Sequence, residues 1–247
     1  MKALITGASS GIGAACATAF AHAKYDLVLV ARRGDRLKSL ARELSQKFGV
    51  QVETHEIDVR DRTRLERAEF RQSLTDLDVV VNNAGLAKGT ESLQEANALD
   101  LEVMIDTNVK GLLWVTRAAL PAMLARGRGH IINIGSVAGH WTYPGGAVYC
   151  ATKHAVHAIS ESLRMDVHGT GLRVTEIAPG MVETEFSEVR LGDRAKAKQV
   201  YEGFKPLTGE DIAETVLWCA SRPSHVNVSE LIIFPTAQSA IRMVDRK

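Results

Sequence analysis

The sequence TGASSGIG at residues 6–13 directly follows an apolar run at residues 3–6 and precedes an alanine-rich segment that extends to Phe20. This order predicts a strand, a sharp turn and a helix. Glycine allows the backbone to turn tightly and to approach an anion, and the helix N-terminus presents free N–H groups and the positive end of its dipole. The stretch predicts a phosphate-binding turn, although a tight βα turn without a ligand has the same composition.

Outside this turn, short apolar runs alternate with longer amphipathic stretches, which is typical of βαβ units. Several runs have consecutive apolar residues, as expected for strands covered on both faces. No linker or repeat divides the chain, so we expect a single α/β Rossmann-fold domain over residues 1–247, doubly wound, with helices on both faces of a mostly parallel seven-stranded sheet. The expected strands are residues 3–6, 27–31, 51–57, 78–82, 130–135, 173–178 and 231–234.

Amphipathic periodicity predicts helices over residues 35–48, 101–124 and 149–168, and Pro121 is expected to kink the end of the second. Residues 60–73 contain five arginines and few apolar residues. The crossover helix expected there has a thin core face, which consists of Leu65, Ala68 and Phe70.

The least regular part of the chain is residues 180–205, where Gly180, Gly192 and Gly203 interrupt a polar, charged sequence. It follows a predicted strand. Open α/β sheets bind ligands at the carboxyl ends of their strands. We therefore expect this segment to be a mobile lid over a substrate site.

The charge balance and the histidine and cysteine patterns limit the class of partner. Thirty Lys and Arg against 29 Asp and Glu leave a net charge of +1, which argues against broad attraction to nucleic acid or to an anionic membrane. The three cysteines have no CxxC spacing, and the histidines show no spacing with carboxylates that indicates a metal. We expect a small-molecule substrate, no nucleic acid, no membrane, no metal, and a cytoplasmic location.

Arg32 and Arg33 follow the second predicted strand, about 20 residues beyond the glycine turn. An acidic residue at this place typically binds the ribose 2′-hydroxyl of NAD, whereas arginine accommodates the 2′-phosphate of NADP. Asp26 lies before the strand, so no carboxylate occupies the strand end. The pair predicts NADP as cofactor; the alternative is a solvated basic turn.

Ser136 ends the predicted strand at residues 130–135, and Tyr149 and Lys153 lie four residues apart on the following helix. Residues at this spacing share a helix face. A phenol has a pKa near about 10, and a neighbouring ammonium favours the phenolate, so the pair is suited to acid–base chemistry. Singly, each signal is weak, because an exposed tyrosine beside a lysine and a serine in a turn are common.

Taken together, the glycine turn, NNAG at residues 82–85, Asn108, Ser136, the YxxxK pair and Pro179-Gly180 resemble the classical short-chain dehydrogenase/reductases over essentially the full chain. The resemblance implies that Tyr149 exchanges the substrate proton and that Ser136 orients the substrate oxygen. It also implies that Lys153 contacts the nicotinamide ribose and lowers the Tyr149 pKa, while Asn108 holds a water. The implied cofactor-binding residues are Gly7, Ser9, Ser10, Gly11, Ile12, Gly13, Arg32, Arg33, Asp58, Val59, Asn83, Ala84, Gly85, Tyr149, Lys153, Pro179, Gly180, Val182 and Thr184.

Further strings, MIDTN at residues 104–108, HIINIGS at 130–136, TEFS at 184–187 and PTAQS at 235–239, resemble the NADP-dependent 3-hydroxy acid dehydrogenases, which include serine 3-dehydrogenases. This implies oxidation of a short 3-hydroxy acid such as L-serine, L-allo-threonine or 3-hydroxyisobutyrate, or reduction of the matching semialdehyde. Such a substrate carries a carboxylate, and Arg190 is the candidate cation to bind it, with Ser136 and Tyr149 at its oxygen. A solvated lid charge is the alternative for Arg190.

Two other functions stay open. One is an NADPH-dependent carbonyl reductase of diketones, quinones or 3-oxoacyl thioesters, since one motif set serves many substrates. The other is a nucleotide-binding regulatory protein without chemistry, which has no need of Asn108, Ser136, Tyr149 and Lys153 together. The family resemblance also implies homo-oligomers, dimers or tetramers, formed by the helices over residues 101–124 and 149–168.

The arginine pair generates the first testable prediction. Changing Arg32 and Arg33 to alanine is expected to weaken NADPH binding much more than NADH binding, because only NADPH carries the 2′-phosphate. Fluorescence titration with both cofactors measures the two losses. Equal losses for NADPH and NADH would contradict the predicted selectivity.

Overall fold

The computed structural model describes all 247 residues and contains a parallel seven-stranded sheet of order β3-β2-β1-β4-β5-β6-β7. The predicted fold is confirmed, and every predicted strand is present within one residue of its expected ends. The strands are β1 (Lys2–Thr6), β2 (Asp26–Ala31), β3 (Val52–Glu56), β4 (Val79–Asn82), β5 (Gly129–Ile134), β6 (Leu172–Pro179) and β7 (Glu230–Ile233). A two-stranded ribbon of β8 (Gln238–Ala240) and β9 (Met243–Val244) follows near the C-terminus.

The strands form one middle layer because their side chains are apolar on both faces. Ile5 and Leu29 lie in one core cluster, whereas Leu4 and Val28 lie in the other. On the first face pack α1 (Gly11–His22), α2 (Gly34–Phe48) and α10 (Gly209–Ala220). On the second face pack α3 (Arg62–Leu65), α4 (Ala68–Gln72), α6 (Leu112–Arg126) and α7 (Ala147–Asp166).

The neighbours of β1 define where a ligand can enter. β1 pairs with β2 on one side and β4 on the other, and the chain order runs outward in opposite directions from this point. Helices leave the two strand ends toward opposite faces. A crevice therefore opens between the carboxyl ends of β1 and β4, as in other doubly wound sheets.

A buried polar chain ties α6 and α7 to the middle of the sheet. The Asn82 side-chain amide donates to Thr116 Oγ1 at 2.8 Å and to Asn133 Oδ1 at 2.9 Å. Asn133 in turn donates to Ser160 Oγ on α7 at 2.8 Å. Because buried amides require partners, these bonds fix the position of α7 on the strands.

Two predicted helices differ in the structure. The helix expected over residues 101–124 begins at Ala98 in α5 (Ala98–Ile105), continues as a π-helix over Asp106–Gly111, and becomes α6, which extends five residues beyond Pro121. The single helix expected within residues 60–73 is divided into α3 and α4. Leu65 and Phe70 are buried as predicted, but Ala68 is exposed, so its assignment to the core was wrong.

Residues 180–205 contain regular structure that the glycine pattern did not predict. They form two short helices, α8 (Phe186–Leu191) and α9 (Arg194–Gln199), with Gly192 and Gly203 in the left-handed region. Across the whole chain, no helix combines the length and the apolar character that crossing a membrane requires.

Candidate active site

The glycine turn after β1 is held closely against the end of β4. Thr6 Oγ1 accepts from the backbone N–H groups of Asn83 and Ala84, both at 3.0 Å. Gly7 and Gly11 have φ values of 67° and 53°, which other residues rarely adopt. A side chain at Gly13 would overlap the Gly7 carbonyl oxygen, so Gly13 is required for packing beneath the turn.

The two arginines after β2 lie at the wall of the same crevice but have different partners. Arg33 donates to Ser9 Oγ at 3.1 Å, to Ser10 Oγ at 2.5 Å and to Glu185 Oε2 at 2.8 Å. Arg32 is exposed and makes no ion pair. One guanidinium is therefore fixed across the glycine turn, and the other is free to bind an anion.

Glu185 was not assigned a role from the sequence, yet it joins residues 180–205 to Arg33 and Arg36 at the wall of the crevice. Arg36 donates to its second carboxylate oxygen at 2.6 Å. Partial burial acts to raise the pKa of Glu185, but hydrogen bonds from Arg36 and Arg33 lower it to about 2. This carboxylate stays ionised across the physiological range and holds the start of α8 beside the crevice.

Ser136, Tyr149 and Lys153 lie together at the carboxyl ends of β5 and β6. Ser136 follows β5, and the other two lie one turn apart on α7. They are 9%, 9% and 7% exposed. Lys153 Nζ donates to the Ile134 carbonyl oxygen at 2.8 Å, so the last residue of β5 holds the ammonium in the site.

Burial determines the protonation of this pair. Burial raises the pKa of Tyr149 well above its ordinary value, against weaker lowering by Ser136 and Arg190. Burial also lowers the pKa of Lys153 to about 8, although the Glu176 carboxylate acts to raise it. Desolvation of the phenol is the largest influence on the Tyr149 pKa here, and the lowering of this pKa by Lys153 stays a prediction.

Asn108 lies behind the crevice rather than in its wall. Its side chain accepts from Leu86 N and donates to Leu86 O, both at 2.8 Å, and it also donates to Thr152 Oγ1 at 3.0 Å. Gly85 separates it from the open space, with Asn108 Oδ1 and Lys153 Nζ on its inner side. The π-helix at Asp106–Gly111 carries this side chain.

Arg190 reaches the chemical end of the crevice from α8. It donates to the Gly89 carbonyl oxygen at 3.1 Å and to the Tyr143 hydroxyl at 3.0 Å. Its guanidinium carbon lies 5.7 Å from the centre of the Tyr149 ring. It forms no ion pair with a carboxylate, so its positive charge faces the crevice beside Tyr149.

All these walls enclose one continuous crevice of about 590 Å³. Every residue predicted from the sequence to bind cofactor or substrate lines it except Gly13, and of the four predicted catalytic residues only Asn108 does not. Sequence reasoning assigned no individual role to several other lining residues, among them Glu185, Tyr201, Gln238 and Arg242. The TEFS string, which contains Glu185, and the PTAQS string, which contains Gln238, carried the only signals for them.

A crevice with a phosphate-type turn at one end and an acid–base pair at the other defines an oxidoreductase of the nicotinamide-dependent class. Residues 1–194 match the family model described as short chain dehydrogenase. The chain belongs to the short-chain dehydrogenase family, as its motifs predicted.

Individual relatives match over almost the full length. The chain is 49% identical over 243 residues to the NADP-dependent 3-hydroxy acid dehydrogenase YdfG of Salmonella typhi, covering 97% of this chain and 96% of that protein. It is 47% identical over 240 residues to sulfoacetaldehyde reductase 2 of Chromohalobacter salexigens, covering 96% and 94%. The solved closed form of serine dehydrogenase complexed with NADP+ matches with a TM-score of 0.89 at 44% identity, covering 97% and 96%.

The buried ammonium predicts an unusual dependence of stability on pH. The difference between the ordinary lysine pKa of 10.5 and about 8 in the fold corresponds to about 3 kcal/mol against the folded state below pH 8. Between these pH values the unfolded chain binds more protons, so this cost disappears as the pH rises. Allowing for the lost bond to Ile134, Lys153→Met is expected to raise the free energy of unfolding at pH 7 by about 2 kcal/mol.

Denaturant unfolding at pH 7 and at pH 10 measures this effect. The stability difference between Lys153→Met and the natural chain should shrink at the higher pH. Lys38→Met is the matched control, because Lys38 is exposed on α2 and should show no such change. A Lys153→Met variant that is less stable at pH 7, or a pH-independent difference, would contradict the account.

Proposed function

We propose that this chain transfers a hydride between NADP(H) and a short hydroxy acid, or the matching oxo acid or semialdehyde. The observation that carries the proposal is a single crevice with free arginine charge at both ends: Arg32 at the nucleotide end, and Arg190 beside Tyr149 at the chemical end. The names of the relatives, an NADP-dependent 3-hydroxy acid dehydrogenase and a serine dehydrogenase bound to NADP+, support both the cofactor and the substrate class.

The residues present fit a phosphorylated dinucleotide. A side chain at Gly7 would overlap Asn83 and Ala84, and one at Gly11 would crowd Thr184, so these glycines allow the turn to lie close to the crevice wall. The N-terminus of α1 lines the crevice beside them. Arg32 lacks a carboxylate partner and is suited to a 2′-phosphate, with Arg33 and Ser9 beside it. Asp58 and Val59 line the adenine side, and Asn83–Gly85 and residues 179–184 line the path to the nicotinamide. When bound, the cofactor supplies or accepts the hydride.

Tyr149 is the proposed proton donor to the carbonyl oxygen during reduction. Burial keeps its phenol protonated in the chain alone, which is the form that donation requires. Ser136 Oγ lies beside it and orients the same oxygen. Lys153, held on Ile134, is placed to contact the nicotinamide ribose. Asn108 keeps Gly85 and Leu86 in position behind Lys153 and holds a water there, which links the ammonium to solvent.

Arg190 is the proposed binding group for the acidic end of the substrate. Its planar guanidinium already lies over the Tyr143 and Tyr149 rings, 5.4 and 5.7 Å from their centres. A carboxylate accepts two parallel N–H groups from arginine, which fixes its orientation. In a 3-hydroxy acid the carbon that bears the hydroxyl is two bonds from the carboxylate carbon, and the proposal is that binding at Arg190 places this carbon at Tyr149.

A sulfonate substrate is the second candidate. In sulfoacetaldehyde the carbonyl carbon is likewise separated from the acidic group by one carbon, so the spacing matches that of a 3-oxo acid. The 47% identity to a sulfoacetaldehyde reductase favours this possibility specifically. Arginine pairs with either anion. Reduction of a neutral carbonyl compound, or nucleotide binding without chemistry, gives the Arg190 charge beside Tyr149 no anion to bind and leaves it only its bonds to Gly89 and Tyr143.

Residues 180–205 are proposed to act as a lid. α8 closes the crevice and is attached at two points. At the first, Glu185 forms ion pairs with Arg33 and Arg36. At the second, Arg190 donates hydrogen bonds to Gly89 and Tyr143. Gly180 and Gly203 flank the segment, and Gly203 has φ 80°. Opening would release both attachments and let the cofactor and substrate exchange.

Homo-oligomers and a cytoplasmic location complete the proposal. Apolar side chains are exposed on α5 and α6, at Leu99, Ile105, Leu113 and Leu124, and at Met165 on α7. Helices with such exposed apolar residues are suited to packing against copies of themselves. All three cysteines are buried and unpaired, which fits a reducing compartment.

Tyr149→Phe separates an enzyme from a binding protein. Removing the phenolic proton is expected to reduce turnover by about 10² to 10⁴-fold, the usual contribution of a positioned acid. NADPH binding should stay within about twofold, because the ring remains. Steady-state turnover and fluorescence titration measure the two quantities. Tyr25→Phe is the control, because Tyr25 is a buried tyrosine just before β2 that packs against Phe20 and lies outside the crevice. Unchanged turnover in Tyr149→Phe would refute the role.

Arg190→Ala tests substrate recognition. A lost charge-assisted bond of about 1.5–3 kcal/mol lowers kcat/KM for an anionic substrate by about 10 to 150-fold. The kcat/KM for a neutral ketone should change little. Arg194→Ala is the matched control, because Arg194 is exposed in the same segment. A loss equal for anionic and neutral substrates would show that Arg190 only holds the lid.

A further inference from the structure

Two histidines and two glutamates meet at a point outside the crevice. His140 follows the short 3₁₀ helix Val137–Gly139, His157 lies on α7, Glu176 on β6 and Glu230 on β7. None of the four lines the crevice. Their ligand-type atoms all lie within 4.8 Å of one another. Four separate elements therefore direct nitrogen and oxygen donors toward one place.

The distances between these atoms are close to those of a metal coordination shell. His140 Nε2 lies 2.7 Å and His157 Nδ1 3.4 Å from Glu230 Oε1, and His157 Nδ1 lies 2.8 Å from Glu176 Oε2. Zinc bonds of about 2.0–2.2 Å in a tetrahedron place neighbouring ligand atoms about 3.4 Å apart. The His157–Glu230 distance already matches this spacing, and the two shorter distances would have to lengthen by about 0.6–0.7 Å to reach it.

Hydrogen bonding accounts for only part of the arrangement, namely the 2.8 Å bond between His157 Nδ1 and Glu176 Oε2. His140 Nε2 and Glu230 Oε1 are both buried, and neither has a hydrogen-bond partner although they are only 2.7 Å apart. Their directions are unsuited to a bond between them. Buried polar atoms without partners are rare and costly. A cation between the donors would satisfy both atoms at once.

The charges of the four side chains also favour a bound cation. Glu176 is 1% exposed, and the partly exposed Glu230 lies in the same cluster, so a buried carboxylate has a second carboxylate close to it. One divalent cation would neutralise both, with the histidines binding as neutral imidazoles. His154, one turn before His157, instead contacts the Cys150 carbonyl oxygen at 2.9 Å and stands outside the group.

We propose that His140, His157, Glu176 and Glu230 form a binding site for a divalent transition-metal ion of the zinc class. Two imidazoles and two carboxylates are ligands that Zn²⁺ accepts, and four protein ligands make a closed, structural site. The expectation from the sequence was that no metal binds. Histidine spacing alone could not reveal the site, because the ligands come from four elements that only the sheet brings together.

The site would fix the parts of the fold that carry the acid–base residues. His140 lies four residues after Ser136, and His157 lies one helical turn beyond Lys153. The Glu176 side chain packs against Gly135, where a side chain would overlap it. An ion held here therefore joins the end of β5, α7, β6 and β7 directly behind the catalytic groups, as a stabilising and positioning element.

The test titrates ZnCl₂ into the full, chelator-treated protein by calorimetry and records visible absorption after loading with Co²⁺. One ion per chain, the intense d–d bands of tetrahedral Co²⁺, and a higher Tm with Zn²⁺ are expected. His140→Gln and His157→Gln should each weaken Zn²⁺ binding by about 100-fold or more, since even outer-sphere partners contribute 10 to 100-fold. His154→Gln is the matched control on the same helix and should bind Zn²⁺ as the natural chain does.

Both the natural chain and the variants can refute the proposed metal site. If the natural chain shows no saturable Zn²⁺ site and no tetrahedral Co²⁺ spectrum, the four residues form only an internal charge network and the proposal fails. It also fails if His140→Gln and His157→Gln, folded by circular dichroism, bind Zn²⁺ as tightly as His154→Gln. The natural chain alone gives an answer, so the test stands even if a variant does not fold.

Discussion

The position of helix α7 and of the acid–base residues depends on one buried ammonium group, that of Lys153. Lys153 lies at the carboxyl edge of the sheet, 7% exposed, and its charge rests on the Ile134 carbonyl oxygen and the nearby Glu176 carboxylate. To bury it, α7 must lie against the ends of β5 and β6. The same packing brings Tyr149 and Ser136 together. Burying the charge lowers the stability of the fold, and the same burial forms the acid–base site. Functional sites commonly lower stability in this way.

A second constraint is the placement of a few positive charges in a chain with a net charge of only +1. Arg33 is already paired with Glu185, while Arg32 and Arg190 face the crevice without carboxylate partners. These two guanidinium groups lie at opposite ends of one crevice. In the proposed function, such a distribution selects a ligand with anionic groups at both ends, namely a phosphorylated cofactor followed by an acidic substrate, rather than attracting polyanions generally.

Most of the fold could be predicted because each strand and turn is indicated by residues that are close together in the sequence. Strands buried on both faces require consecutive apolar residues, and glycine is required where the chain turns at a positive φ, as at Gly7. Features set by tertiary contacts could not be predicted. Asn108 lies in a π-helix, where its side chain pairs with Leu86, and Ala68 is exposed at the start of α4, beyond the break that follows Leu65. The Glu185 pairs and the His–Glu cluster join residues distant in sequence, so no spacing rule indicates them.

The proposed function requires that this crevice selects an acidic hydroxy compound for NADP-linked oxidation. A comparison of kcat/KM with NADP+ tests this for L-serine, L-allo-threonine, 3-hydroxyisobutyrate, 2-hydroxyethanesulfonate and a neutral secondary alcohol of similar size. For at least one anionic substrate, kcat/KM is expected to exceed that of the neutral alcohol by about tenfold or more, the effect of one charge-assisted bond. A preference for the neutral alcohol over every anionic substrate would contradict it.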